Sequence, residues 1–188
     1  LTGNDFTGSL PSLSELFALL GLDLSGNSLS GTVPALPPGL TNLDLSDNDF
    51  SGDLPSMPTT LDSLDLSGNG FEGALPPNLE DLTDLEFLDL TGNNFSGSLP
   101  SLSELLALLG LDLSGNSLSG TVPELPPGLT NLDLSDNDFS GDLPSMPTTL
   151  DSLDLSDNNF SGSFPDLSAL NDLEFLDLGG NSFSGSLP

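Results

Sequence analysis

Leucines separated by one polar residue recur along the whole chain, from Leu22-Asp23-Leu24 and Leu43-Asp44-Leu45 to Leu176-Asp177-Leu178. Alternation with period two sends the leucines to one side and the aspartate to the other, so each triplet predicts a short strand with a buried leucine face. Three residues past the second leucine stands an asparagine: Asn27, Asn48, Asn69, Asn93, Asn116, Asn137, Asn158 and Asn181, with Asn4 in a shortened first copy. Two residues further comes a large apolar side chain, at Phe6, Leu29, Phe50, Phe71, Phe95, Leu118, Phe139, Phe160 and Phe183. Successive asparagines lie 21 to 24 residues apart, a period that belongs to a solenoid.

Stacked coils of this kind predict one long parallel sheet of Leu-Asp-Leu strands on the concave face, with an aromatic column inside. The framing asparagines are structural candidates, because an amide leaving a strand can satisfy the backbone of the turn. The return paths are of two kinds. Ser12-Leu13-Ser14-Glu15-Leu16-Phe17-Ala18-Leu19 and its counterpart from Ser101 open on a Ser-x-x-Glu capping pattern and predict a short helical turn. Pro34-Ala35-Leu36-Pro37-Pro38-Gly39 and Pro55-Ser56-Met57-Pro58-Thr59-Thr60 hold too many prolines for helix and predict extended, polyproline-like paths.

Residues 1–89 and 90–177 are near copies of one four-coil unit, and 178–188 start a further unit. The chain therefore predicts a single continuous array, 1–188, of about eight to nine coils. With no polar cap at either edge, it is expected to be a window of a longer chain.

The frame Leu-x-x-Leu-x-Leu-x-x-Asn resembles the leucine-rich repeat family, and the trailing Phe-Ser-Gly-x-Leu-Pro resembles its plant-type extracellular class. The 21-residue, proline-rich coils resemble the short bacterial class. The resemblance covers the whole chain and implies an α/β-type repeat solenoid, mostly β, coiled right-handedly. It also implies an extracellular or cell-surface location.

Charge changes the picture most. The chain carries 29 acidic residues and no Lys, Arg or His, for a formal net charge of -29. Without a basic patch, nucleic acid and anionic membrane surfaces are poor partners, and no apolar run approaches the roughly 20 residues of a membrane span. Cysteine is absent too, which removes disulfides, thiol nucleophiles and thiolate metal sites. Lacking His, Cys, Lys, Arg and Tyr, the chain retains only paired carboxylates for catalysis. Those need two distinct environments, whereas its aspartates repeat in equivalent ones, so no enzyme activity is expected.

The outward strand position is acidic in every complete coil: Asp23, Asp44, Asp65, Asp89, Asp112, Asp133, Asp154 and Asp177. Parallel strands lie about 4.8 Å apart, where adjacent unit charges repel by roughly 0.9 kcal/mol in water. This ladder is the candidate metal site. No cofactor is required by the fold, but calcium would suit carboxylates in this arrangement. Asn94 and Asn159 open the sequons Asn94-Phe95-Ser96 and Asn159-Phe160-Ser161, candidates for N-glycosylation on the turn leaving the sheet. Before each Leu-Asp-Leu the outward residue runs Gly21, Asn42, Ser63, Phe87 and again Gly110, Asn131, Ser152, Phe175, making Phe87 and Phe175 candidate binding anchors.

Three functions are consistent with these features. The repetition of one face favours a structural or adhesive protein, a fibre or coat bridged by divalent cations, self-associating or joined end to end with neighbouring repeats. The family resemblance implies the alternative, a binding ectodomain that holds a peptide, glycan or cationic partner on its concave face. Regular Ser, Thr and Asp columns allow a third, binding to ice or mineral.

Overall fold

The computed structural model describes residues 1–163 and 167–184. The end of the further unit, 185–188, and the step at 164–166 where the two halves differ in length lie outside the described residues. The chain winds as a parallel β-solenoid. The Leu-Asp-Leu strands Gly21–Asp23, Asn42–Asp44, Ser63–Asp65, Phe87–Asp89, Gly110–Asp112, Asn131–Asp133, Ser152–Asp154 and Phe175–Asp177 form one eight-stranded parallel sheet. Its register is unbroken, so that Asp65 pairs with Asp89, Asp89 with Asp112 and Asp112 with Asp133.

A second eight-stranded parallel sheet runs along the turn that follows. Its strands include Ser28–Gly31, Asp49–Gly52, Gly70–Gly73, Asn94–Gly97, Ser117–Gly120 and Asp138–Gly141. The sequence pattern predicts only one sheet. In this segment a single buried Phe or Leu sits between polar residues, too short an alternation to announce a strand, and the strand exists because each coil's backbone pairs with the next. Asn94 and Asn159 consequently open strands, Asn94–Gly97 and Asn159–Phe160, instead of lying in a loop, and both are exposed.

Between the sheets lies a core of leucine and phenylalanine. Phe50, Phe71, Phe95, Phe139 and Phe160 are fully buried. Their rings stack nearly parallel, at 6.0 Å from Phe50 to Phe71, 6.1 Å from Phe71 to Phe95 and 6.2 Å from Phe139 to Phe160. Leu118 interrupts the column.

The framing asparagines stitch one coil to the next. Asn137 Nδ2 donates to Leu113 O of the preceding coil at 2.9 Å, and to Leu134 O and Ser135 O of its own. Its Oδ1 accepts the Leu118 N–H at 2.9 Å. Asn27, Asn48, Asn69, Asn93, Asn116, Asn158 and Asn181 likewise accept the N–H of the apolar residue one coil earlier, at 3.0 to 3.1 Å. Each of these eight amides thus serves two coils at once, whereas Asn4 in the shortened first copy donates only to Leu1 O and Thr2 O of its own coil.

The expected helical turns at Ser12–Leu19 and Ser101–Leu108 are absent. Those segments form consecutive tight turns, with the Leu105 N–H donating to Leu102 O at 3.1 Å and the Leu108 N–H to Leu105 O at 3.0 Å. The reason is the spacing. Leu102, Leu105 and Leu108, three residues apart, are buried, while Leu106 and Leu109 are exposed. An α-helix would turn Leu106 and Leu109 toward the face of Leu102. Among the described residues the only helix is a 3₁₀ turn at Leu79–Asp81, in the segment after Pro76-Pro77. The proline-rich returns run without regular structure, each ending in one turn, such as the Leu40 N–H to Pro37 O at 3.4 Å.

Candidate binding face on the concave sheet

The exposed face of the Leu-Asp-Leu sheet carries two side-chain columns, because outward positions alternate along each strand. One is the aspartate ladder. The other holds Ser63, Phe87, Gly110, Asn131 and Ser152, and the two together line a depression of about 420 Å³. Phe87 is part of its lining, with Ser63 as its cross-strand partner on one side and Gly110 on the other. Half of Phe87 is exposed (50 %), and a Cβ added at Gly110 would lie 3.1 Å from Phe87 Cδ1. The ring thus lies against Gly110, whose missing side chain gives it its place, and keeps its other face open. Phe175 stands at the matching place four coils on, beside Ser152, and is equally exposed (49 %).

Each rung of the ladder is braced inside its own coil. Asp133 Oδ1 accepts the Ser135 N–H at 2.9 Å and the Ser135 hydroxyl at 2.6 Å. Asp44, Asp65, Asp112 and Asp154 are held in the same way by Ser46, Ser67, Ser114 and Ser156, and Asp89 accepts the Thr91 N–H at 2.9 Å. These bonds turn the chain out of the strand and fix the carboxylates in line.

Burial pushes the Asp89 carboxyl above its ordinary value. The Thr91 N–H bond opposes the shift, while Asp65 and Asp112 on the adjacent strands add to it. Asp133 is raised for the same reasons, burial first, then Asp112 and Asp154, against the bonds from Ser135. Among the described residues no three carboxylates gather closely enough to hold a metal ion; the ladder strings them along a line, one per strand. No helix among the described residues is long and apolar enough to cross a membrane.

Sequence reasoning finds Phe87 and Phe175 from the four-coil order. It does not single out Gly110, whose missing side chain gives the Phe87 ring its place. Nor does it find Leu106, which it assigns to a helical turn, or Leu109, which follows that turn.

A parallel solenoid with an asparagine at each turn, leucines inside and a charged concave sheet defines a class of open-faced repeat protein. Two family models match the sequence, one described as Leucine Rich repeats (2 copies) at residues 59–104 and one as Leucine Rich Repeat at 18–40, 39–61, 107–129, 128–150, 149–170 and 172–188. The chain belongs to the leucine-rich repeat family. No curated protein matches it.

Among solved structures, the plant peptide hormone receptor RGFR1, in complex with RGF2, is 38 % identical with a TM-score of 0.89, over 98 % of this chain and 32 % of that one. The ectodomain of the Arabidopsis receptor kinase HAESA, in complex with an extended IDA peptide hormone, is 34 % identical at 0.89, over 100 % and 34 %. A plant ice-binding protein is 31 % identical at 0.66, over 100 % and 73 %. The chain spans about a third of the receptor chains it matches.

Proposed function

We propose that this chain is a non-catalytic ligand-binding segment of an extracellular leucine-rich repeat protein, and that its concave sheet receives the ligand at the depression around Phe87. The observation that carries this reading is the exposed aromatic ring on an interior strand of the sheet, with the small residues Ser63 and Gly110 as its cross-strand neighbours. The receptor neighbours, which bind peptide hormones, support a peptide as ligand. The fibre and calcium-bridging reading draws no comparable support, and we rank it behind.

The test is selection of a random 12-residue peptide library on the wild-type chain, followed by rebinding to Phe87→Ala and Gly110→Leu. Binders that lose affinity for both variants support the reading, whereas a selection that yields none dependent on these positions sinks it. We also propose Asn94 and Asn159 as glycan carriers, on their exposure at the start of the second sheet's strands. Intact mass of protein secreted from eukaryotic cells checks this, bare mass refuting it.

A second reading rests on the second sheet. Ser30, Ser51, Ser96, Ser119, Ser140 and Ser161 each follow the buried apolar residue of their coil, with Glu72 at the equivalent place in another, and one structural neighbour is an ice-binding protein. Inhibition of ice recrystallisation that disappears in Ser119→Tyr would establish it, and normal crystal growth would remove it.

A further inference from the structure

The nature of the ligand can be drawn from what surrounds Phe87, and this step rests on the concave-face reading above. Three large apolar side chains in the interior coils are exposed: Phe87, Leu106 and Leu109. They belong to two consecutive coils. Gly110, next to Leu109, pairs with Phe87, and the Leu109 N–H donates to Glu86 O at 2.9 Å, so Leu109 sits at the rim where Phe87 enters the concave face. Directly beside this apolar step run Asp65, Asp89, Asp112 and Asp133. One oxygen of each is engaged by its own turn. The other accepts no hydrogen bond from the described residues. With no Lys, Arg or His anywhere in the chain, nothing within the protein neutralises these carboxylates. A second copy of the chain brings no cation either, so it is a poor occupant of the face.

We infer that the depression takes an extended cationic peptide, with its basic side chains along the Asp65 to Asp133 row and one arginine guanidinium laid over the exposed face of the Phe87 ring. A planar, weakly hydrated guanidinium stacks on an aromatic face and also bonds carboxylates in pairs, which a lysine ammonium does less well. Charge complementarity sets the class of ligand, and the apolar step sets where along the ladder it sits.

The experiment is fluorescence anisotropy with a labelled octa-arginine peptide and its octa-citrulline counterpart, which keeps the shape and removes the charge, at about 0.15 M salt. The expected result is saturable binding of octa-arginine and at least tenfold weaker binding of octa-citrulline. Phe87→Ala should weaken octa-arginine about threefold, and Asp89→Asn with Asp112→Asn should weaken it further. Asp49→Asn with Asp138→Asn, two charges removed from the second sheet, should change it little. Phe87 is exposed, so its variant keeps the core, and a thermal melt matching wild type confirms this. Equal losses from the two charge pairs, with no effect at Phe87, would reduce the binding to general attraction and overturn the inference. So would octa-citrulline binding as tightly as octa-arginine in a Phe87-dependent way, but that result leaves the concave-face reading standing. Failure of octa-arginine to bind overturns the cationic class alone, because the library selection decides the face independently.

Discussion

A single amide holds more of this protein than any salt bridge does. Asn137 is buried, and its side chain donates to three carbonyls while accepting an N–H from the previous coil. Replacing it by Ala takes this partner from the Leu113 and Leu134 carbonyls and the Leu118 N–H in a place water does not reach, at roughly 1–3 kcal/mol for each one that cannot relax, while the Ser135 carbonyl keeps the Gly115 N–H. Asn137→Ala should therefore lose about 3 kcal/mol in a urea titration, and the exposed Asn171→Ala should lose almost nothing. The ladder carboxylates make a different prediction. Asp89 and Asp133 have folded values above the ordinary 3.8, mainly through burial. The folded state then holds their protons more tightly than the unfolded one. Their contribution is fully present below pH 3.8 and is lost as the pH rises through the raised folded values. The melting temperature should accordingly rise as pH falls from 7 toward that range. Asp89→Asn keeps an acceptor for Thr91 and removes repulsion from two neighbours, worth about 0.9 kcal/mol each in water before salt screening. It should melt higher than wild type at pH 7 and gain less on acidification.

The two sheets differ in how openly the sequence announces them. Leu-Asp-Leu is a visible alternation, and the concave strands stand where it occurs. The second sheet offers one buried residue per strand, and its identity as a strand is settled by hydrogen bonds to the next coil, which no local pattern encodes. What marks it instead is a glycine column: Gly31, Gly52, Gly73, Gly97, Gly120 and Gly141 all have φ between 78° and 90°, a conformation costly for side chains. At Gly141 an added Cβ would also come within 2.9 Å of Thr121 Cγ2. Gly141→Ala should cost about 2 kcal/mol from the backbone alone, read as a shifted denaturation midpoint. The returns teach a second lesson. Ser-x-x-Glu with leucines nearby reads as a helix start, but a three-residue leucine spacing serves successive tight turns, with Leu102, Leu105 and Leu108 all inward. The exposure of Leu106 runs against that helical expectation, Leu109 lies just past the segment, and Gly110 leaves no motif because it has no side chain.

At the scale of the molecule the core is a line of nearest-neighbour contacts, so damage should stay local. Phe71 is clamped between Phe50 and Phe95, while Phe139 and Phe160 stack on the far side of Leu118. Phe71→Ala opens a cavity worth roughly 3–5 kcal/mol. Hydrogen exchange should accelerate across residues 42–97 and stay near wild type around Phe139 and Phe160. Uniform acceleration would mean that the array folds as one indivisible unit. Charge, by contrast, acts over the full length. Eight coils stacked at strand spacing make a rod roughly 40 Å long, and 29 acidic residues with no basic ones place one negative charge about every 1.4 Å of it. Double-stranded DNA carries one per roughly 1.7 Å. By linear charge density the solenoid is thus a polyelectrolyte of nucleic-acid strength, wrapped in condensed counterions. Any basic ligand that docks on it draws part of its free energy from the ions it sets free.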